Sequence, residues 1–303
     1  MEKLKHAYLG MLLLAFGCGG EVEIQTSTSS VTTTSTTSTT STTSTTSSTS
    51  TSTTTTTLPW RKTVVAVGDI ACSVSSTALC AHDDVADLIY SLEPDAFLAL
   101  GDVQYENGSY KSFMEVYDVS FGELKDITYP VPGNHEYYSN MSGYNDYFGE
   151  GYTYYSHDIG PWHFVGLDSE NVTDEQVEWL RSDLAQTSSD CVVAYWHRPR
   201  WSSGAHGDYR GVQPLWEALS ERSTVLSGHD HHYERYNPID GITQFVVGTG
   251  GKSMRNVSSP DSESAIVYDD TPGVLMMDLY EDRYIWYFIS TDYAIVDTGT
   301  VTC

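Results

Sequence analysis

Five times in this sequence an apolar run ends on a glycine or an aromatic residue and is followed by a side chain able to hold a metal. Residues 64–67 lead into Gly68-Asp69, and residues 97–100 into Gly101-Asp102-Val103-Gln104-Tyr105. Residues 129–132 lead into Gly133-Asn134-His135-Glu136, 192–196 into His197-Arg198-Pro199, and 225–226 to Gly228-His229-Asp230-His231. One strand-Gly-Asp turn is commonplace, but Asp, Asp with Tyr, Asn, His and His-x-His together form a donor set. Imidazole, carboxylate and amide oxygen suit Zn, Fe and Mn, and no cysteine lies in these turns to make a thiolate site. Tyr105 narrows the choice. A phenol has a pKa of about 10, so ionising it near neutrality calls for a strong Lewis acid such as iron(III). Against Asp69, Asp102, an ionised Tyr105 and one hydroxide, an Fe(III)–M(II) pair keeps a net positive charge that attracts phosphate.

Such donors need elements that bring five chain segments to one place. The runs at 64–67, 97–100, 164–167, 192–196 and 224–226 are short, β-branched or aromatic, and bounded by Gly, Asp or His, which predicts buried strands. Helical patterns fall at 82–92, 110–117, 174–185 and 212–219, and Thr173 predicts an N-cap with Gln176 in the capping-box position. The alternation describes an α/β layered domain, in which ligand sites gather at the carboxyl ends of strands. Runs at 245–247, 274–279, 284–289 and 294–301 then predict consecutive strands closing the domain as a β-meander.

The globular part begins near Trp60. Residues 26–57 are Ser and Thr apart from Val31, and such a tract has too little apolar surface to offset the entropy of ordering it. Residues 19–59 are therefore predicted to be a disordered stalk, and 60–303 one domain. At the N-terminus Lys3 and Lys5 precede an apolar run at 7–16 that is too short to span a bilayer, as in a signal peptide. Gly17-Cys18 resembles the end of a bacterial lipoprotein signal, although Ala15 stands where Leu is usual. This predicts a processed leader at 1–18, acylation of Cys18, and an exported protein that meets the membrane only through that anchor. Plain secretion is the other outcome of such a leader. With Cys18 set aside, four of the five cysteines remain, an even set that predicts disulfides Cys72–Cys80 and Cys191–Cys303 in an oxidising compartment. The formal net charge of −26 excludes a general nucleic-acid binder, whose affinity comes from clustered Lys and Arg. A phosphorylated small substrate then needs a local positive centre.

Together the motifs from Gly68 to Arg235, with Gly248-Thr249-Gly250-Gly251 beyond them, resemble the calcineurin-like metallophosphoesterases and, among these, the purple acid phosphatases. The first motif selects the subtype. Most of the superfamily has Asp-x-His there, whereas this chain has Asp69-Ile70-Ala71, and the purple acid phosphatases also lack that His and use a Tyr of the second motif. The resemblance implies two mixed β-sheets packed together and flanked by helices. It also implies a binuclear centre of Fe(III) with Zn, Mn or Fe(II). Asp69, Tyr105 and His231 would hold the iron, Asn134, His197 and His229 the second ion, and Asp102 would bridge them. Two such ions polarise the phosphoryl group and generate the hydroxide that attacks it in a phosphate monoester. His135 and His206 match substrate-facing histidines of the family and are candidates to protonate the leaving group.

Two other functions share these residues. A phosphodiesterase or nucleotidase would use the same donors, because substrate choice lies in loops such as 201–210 and 252–265. A surface binding module with structural metals would need neither His135 nor His206, nor an open coordination position.

Overall fold

Strand β1 (Lys62–Val67) is buried along five consecutive residues, so it is covered on both faces, as strands inside a layered domain must be. It pairs in parallel with β2 (Ala96–Leu100), and β2 in parallel with β3 (Thr128–Val131). On its other side lies β11 (Gly273–Leu279), antiparallel, followed by β12 (Arg283–Ser290) and β13 (Ile295–Thr302). The computed structural model describes residues 60–73 and 80–303. The leader, the acylation of Cys18 and the Ser/Thr stalk concern residues outside these.

A second sheet runs β10 (Ser264–Tyr268), β8 (Tyr233–Tyr236), β9 (Thr243–Val247), β7 (Thr224–Ser227), β6 (Cys191–Tyr195), β5 (Trp162–Gly166), β4 (Tyr155–Ile159). Its centre is parallel and its edges antiparallel, so both sheets are mixed. Alternation along β6 shows how they pack. Val193 and Tyr195 join the core shared with Val65, Phe97 and Phe288 of the first sheet, whereas Val192, Ala194 and Trp196 face an outer layer. That outer layer holds Val177 and Leu180 of helix α2 (Asp174–Leu184). Helix α1 (His82–Leu92) brings Val85, Leu88 and Ile89 to the main core.

Several local expectations change. The run at 245–247 does not belong to the terminal meander: β9 lies beside β7 in the second sheet, and the meander is β11–β12–β13 alone. The helix at 110–117 continues to Ile127 through a π turn at Phe113–Tyr117. There Gln104 Oε1 accepts the Tyr117 amide at 3.2 Å, and a side chain inserted into the ladder widens the turn. The predicted helix at 212–219 shortens to Gln213–Trp216 after a 3₁₀ turn. Thr173 caps α2 by accepting the Gln176 amide at 3.2 Å, but the Gln176 side chain serves the preceding turn instead, donating to Asp168 and Asn171 carbonyls. Both predicted disulfides are present, and Cys191–Cys303 joins the start of β6 to the residue just past β13, linking one sheet to the other.

Candidate metal centre

Each candidate ligand except Tyr105 sits two to four residues beyond the carboxyl end of a strand. The first sheet supplies Asp69, Asp102, Tyr105 and Asn134, and the second supplies His197, His229 and His231. Three of them turn through the left-handed region, with φ of 59° at Asp69, 47° at Asp102 and 71° at His229. A non-glycine residue there costs roughly 1–2 kcal/mol, and such strain collects where a side chain must be aimed. Gly101 (φ 82°) has no such freedom to change: a Cβ there would lie 2.7 Å from the His197 ring. Below the centre the Glu136 carboxylate accepts the amides of Gly133 (2.8 Å) and Gln104 (3.1 Å), fixing two ligand turns to one another. Burial and the neighbouring Asp102 push its carboxyl up to about 8.

The side chains converge closely. Tyr105 Oη donates to Asp69 Oδ1 at 2.7 Å and to Asp102 Oδ2 at 3.1 Å, with His231 Nε2 at 3.3 Å. His231 Nε2 lies 3.3 Å from Asp69 Oδ1. On the other side His197 Nε2 is 3.3 Å from Asp102 Oδ1 and 3.2 Å from His229 Nδ1. Asp102 thus gives one oxygen to each group. Asn134 is the exception: its Oδ1 accepts from Arg198 at 3.2 Å instead of meeting the imidazoles. His135 donates Nδ1–H to the Glu106 carbonyl and turns Nε2 to 3.7 Å from Asp102. His206 stacks on His229 with ring centres 4.2 Å apart.

Electrostatics separate the groups. Burial lowers and the adjoining Asp102 carboxylate raises His197, which ends at about 10 with no cation between the two. His229 is driven down to about 2 by burial, His197 and Arg198, and stays a neutral lone-pair donor. Burial between Asp102 and Asp69 holds the Tyr105 phenol well above its ordinary value.

These residues fit bound cations. Asp69 and Asp102 are at most 2% exposed, and among the described residues no Lys or Arg pairs with either. Buried carboxylates of that kind are paired or coordinate metal. His197 Nδ1 and His231 Nδ1 donate to the Leu100 and Ser253 carbonyls, each at 2.9 Å, which leaves both Nε2 lone pairs facing the carboxylates. Backbone carbonyls commonly fix metal-ligating imidazoles this way.

A cavity of about 430 Å³ opens over the centre, and cations that the motifs did not single out line it: Arg198, Lys252 and Arg255. Arg198 follows His197 directly, and Lys252 and Arg255 follow the Gly-rich turn, which is the only signal the sequence carries for them. Arg198 is anchored by Glu170 at 2.6 Å, and Lys252 by Glu106 at 2.5 Å. The remaining described histidines have structural surroundings. His82 meets Cys80, His157 stacks on Tyr129, His163 bridges Asp158 and Asp183, and His232 meets Glu234.

A fold of two mixed sheets with buried Asp and His at adjoining strand ends defines a metallophosphoesterase, and residues 62–233 match the calcineurin-like phosphoesterase family. The chain belongs to that family. Among its relatives, purple acid phosphatase 15 of Arabidopsis thaliana is 29% identical over 266 residues, covering 69% of this chain and 47% of the relative. Purple acid phosphatase 22 of the same plant is 28% identical, covering 65% and 53%. The chain spans about half the length of these curated relatives. In fold, purple acid phosphatase PPD1 from yellow lupin seeds superimposes with a TM-score of 0.65 at 20% identity, covering 81% of this chain and 54% of that one. A dimetal phosphatase from Danio rerio gives 0.56 at 16% identity, covering 80% and 98%.

Proposed function

We propose that this protein hydrolyses phosphate monoesters of small molecules at a binuclear metal centre, outside the cytosol. The observation that carries the reading is the inward-facing set of Asp69, Asp102, Tyr105, His197, His229 and His231, fixed by backbone carbonyls and strained turns. Asp69, Tyr105 and His231 would hold iron(III), and Asn134, His197 and His229 a second ion of Zn, Mn or Fe(II). Asp102 would lie between them. For Asn134 this requires its amide oxygen to leave Arg198. Bound there, two ions supply Lewis acidity towards the phosphoryl oxygens and a nucleophile at neutral pH.

The chain's own groups do the remaining work. Arg198, held by Glu170, points at the cavity beside His229 and Asn134 and is placed to bind phosphoryl oxygens bidentately. His135 and His206 flank the cavity and are the groups able to give the leaving oxygen a proton. Export is supported by two disulfides, which persist in oxidising compartments. A lipid anchor at Cys18 would tether the domain to a surface.

The test is metal analysis together with phosphate release from p-nitrophenyl phosphate and bis(p-nitrophenyl) phosphate. The reading expects two metals per chain, preference for the monoester, and loss of about 10³-fold or more of the rate in Asp102→Ala, in line with the weight of electrostatic stabilisation at such sites. A visible absorption band that disappears in Tyr105→Phe would identify iron(III). Preference for the diester would move the assignment to a phosphodiesterase, and a metal-loaded protein inert to both esters would end it.

A further inference from the structure

Asp230 stands between two candidate ligands, His229 and His231, yet its side chain goes elsewhere. It is fully buried, and its carboxylate gathers the loop that carries His206. Oδ1 accepts the His206 backbone amide at 2.9 Å and lies 3.1 Å from His206 Nδ1. Oδ2 accepts the Ser202 hydroxyl at 2.5 Å, and that hydroxyl oxygen in turn accepts the Gly204 amide at 3.0 Å. The loop lies so close on the carboxylate that a Cβ at Gly204 would fall 2.3 Å from Asp230 Cγ.

We propose that Asp230 is a positioning residue for catalysis, acting through His206. The inference rests on the phosphoesterase reading above. A carboxylate at Nδ1 holds an imidazole in one tautomer and one orientation, with Nε2 as the working nitrogen. The orientation is fixed twice more: the ring stacks on His229 at 4.2 Å, and Nε2 faces the cavity, where the exposed Arg255 donates to it at 3.1 Å. Among the described residues Arg255 has no carboxylate partner, so nothing anionic holds it at that spot against a substrate. Holding the loop alone would need only the contact to the His206 amide. The second contact, to Nδ1, matters only for what the ring does.

The step it serves balances simply. The bond between phosphorus and the ester oxygen breaks, its electron pair stays on that oxygen, and the oxygen takes a proton from Nε2 of His206, which gains it from solvent once the substrate has drawn Arg255 off that nitrogen. A water oxygen forms the new bond to phosphorus. The products are an alcohol and inorganic phosphate, and His206 is left neutral until it regains a proton from solvent.

The test exploits leaving groups. p-Nitrophenolate departs without a proton, whereas the alkoxide of glycerol 2-phosphate does not. For Asp230→Asn, kcat/KM on glycerol 2-phosphate should fall about 10²-fold, the lower end of what a general acid contributes, with a loss roughly tenfold smaller on p-nitrophenyl phosphate. Ser202→Ala should show the same pattern at smaller size. Asp230→Asn combined with His206→Ala should be no worse than His206→Ala alone, with metal content unchanged throughout. Equal losses on both esters, multiplying losses in the double variant, or loss of metal in Asp230→Asn would overturn the inference. Unmodified, metal-loaded protein inert to both esters would instead overturn the phosphoesterase reading, and this inference with it.

Discussion

Replacing Cys191 and Cys303 together by serine should destabilise the metal-free domain far more than replacing Cys72 and Cys80. The bonds close loops of very different length, spanning 112 and 8 residues. Chain entropy of the unfolded state gives about 5 kcal/mol for the longer and about 2.5 kcal/mol for the shorter. For a domain of about 240 residues the longer bond then corresponds to a fall of about 9 °C in Tm. The native fold should survive the cut, because β13 keeps its ladder with β12 and Cys303 N–H still donates to the Asp282 carbonyl at 3.0 Å. Urea unfolding at 25 °C of both serine pairs, stripped of metal, measures the two free energies on one scale. Equal losses, or a larger loss from the Cys72–Cys80 pair, would refute the loop-length argument and place the stabilisation in native contacts.

Three further outcomes follow from particular contacts. His163 is set between Asp158 and Asp183, 2.7 Å from each, and although burial lowers its pKa these carboxylates raise it above the usual histidine value. Its contribution is therefore complete below about pH 6.5 and is lost as pH rises through the raised value, so unfolding midpoints at pH 5.5 and 8.5 should differ less in His163→Gln than in the unmodified protein. Gly101→Ala drives a Cβ into the buried His197 ring from a left-handed backbone, and elemental analysis should show lost metal before any loss of secondary structure by circular dichroism. Thr173→Ala removes the cap of α2 and should cost about 1 kcal/mol in urea unfolding without changing metal content.

Much of the centre was legible because its logic is local. A ligand just past a strand end is written as an apolar run, a glycine or an aromatic residue, and a donor, and this is how Asp69, Asp102, His197, His229 and His231 stand in the chain. Tyr105 was legible through what Ala71 cannot do. Sheet membership was not legible, since β9 reads like its later neighbours and only its pairing with β7 places it in the other sheet. The π turn at Phe113–Tyr117 depends on Gln104, a residue nine positions before it, and no periodicity reports such an insertion. Arg198, Arg255 and Asp230 gain their meaning from loops folded over the cavity. Sequence shows their types, but not that a carboxylate between two imidazoles would turn away to hold a third.

The left-handed turns at Asp69, Asp102 and His229 set this protein's stability against its chemistry. Glycine adopts that backbone freely, and replacing Asp69 or Asp102 by it would also remove a buried carboxylate that has no Lys or Arg partner among the described residues. Selection for heat resistance alone, in the absence of metal, would therefore favour variants that dismantle the pocket. A library of this domain sorted only by melting temperature should enrich glycine at these positions, whereas one sorted by turnover should purge it. Where the two selections disagree most strongly, the residues kept only for what the protein does would stand out.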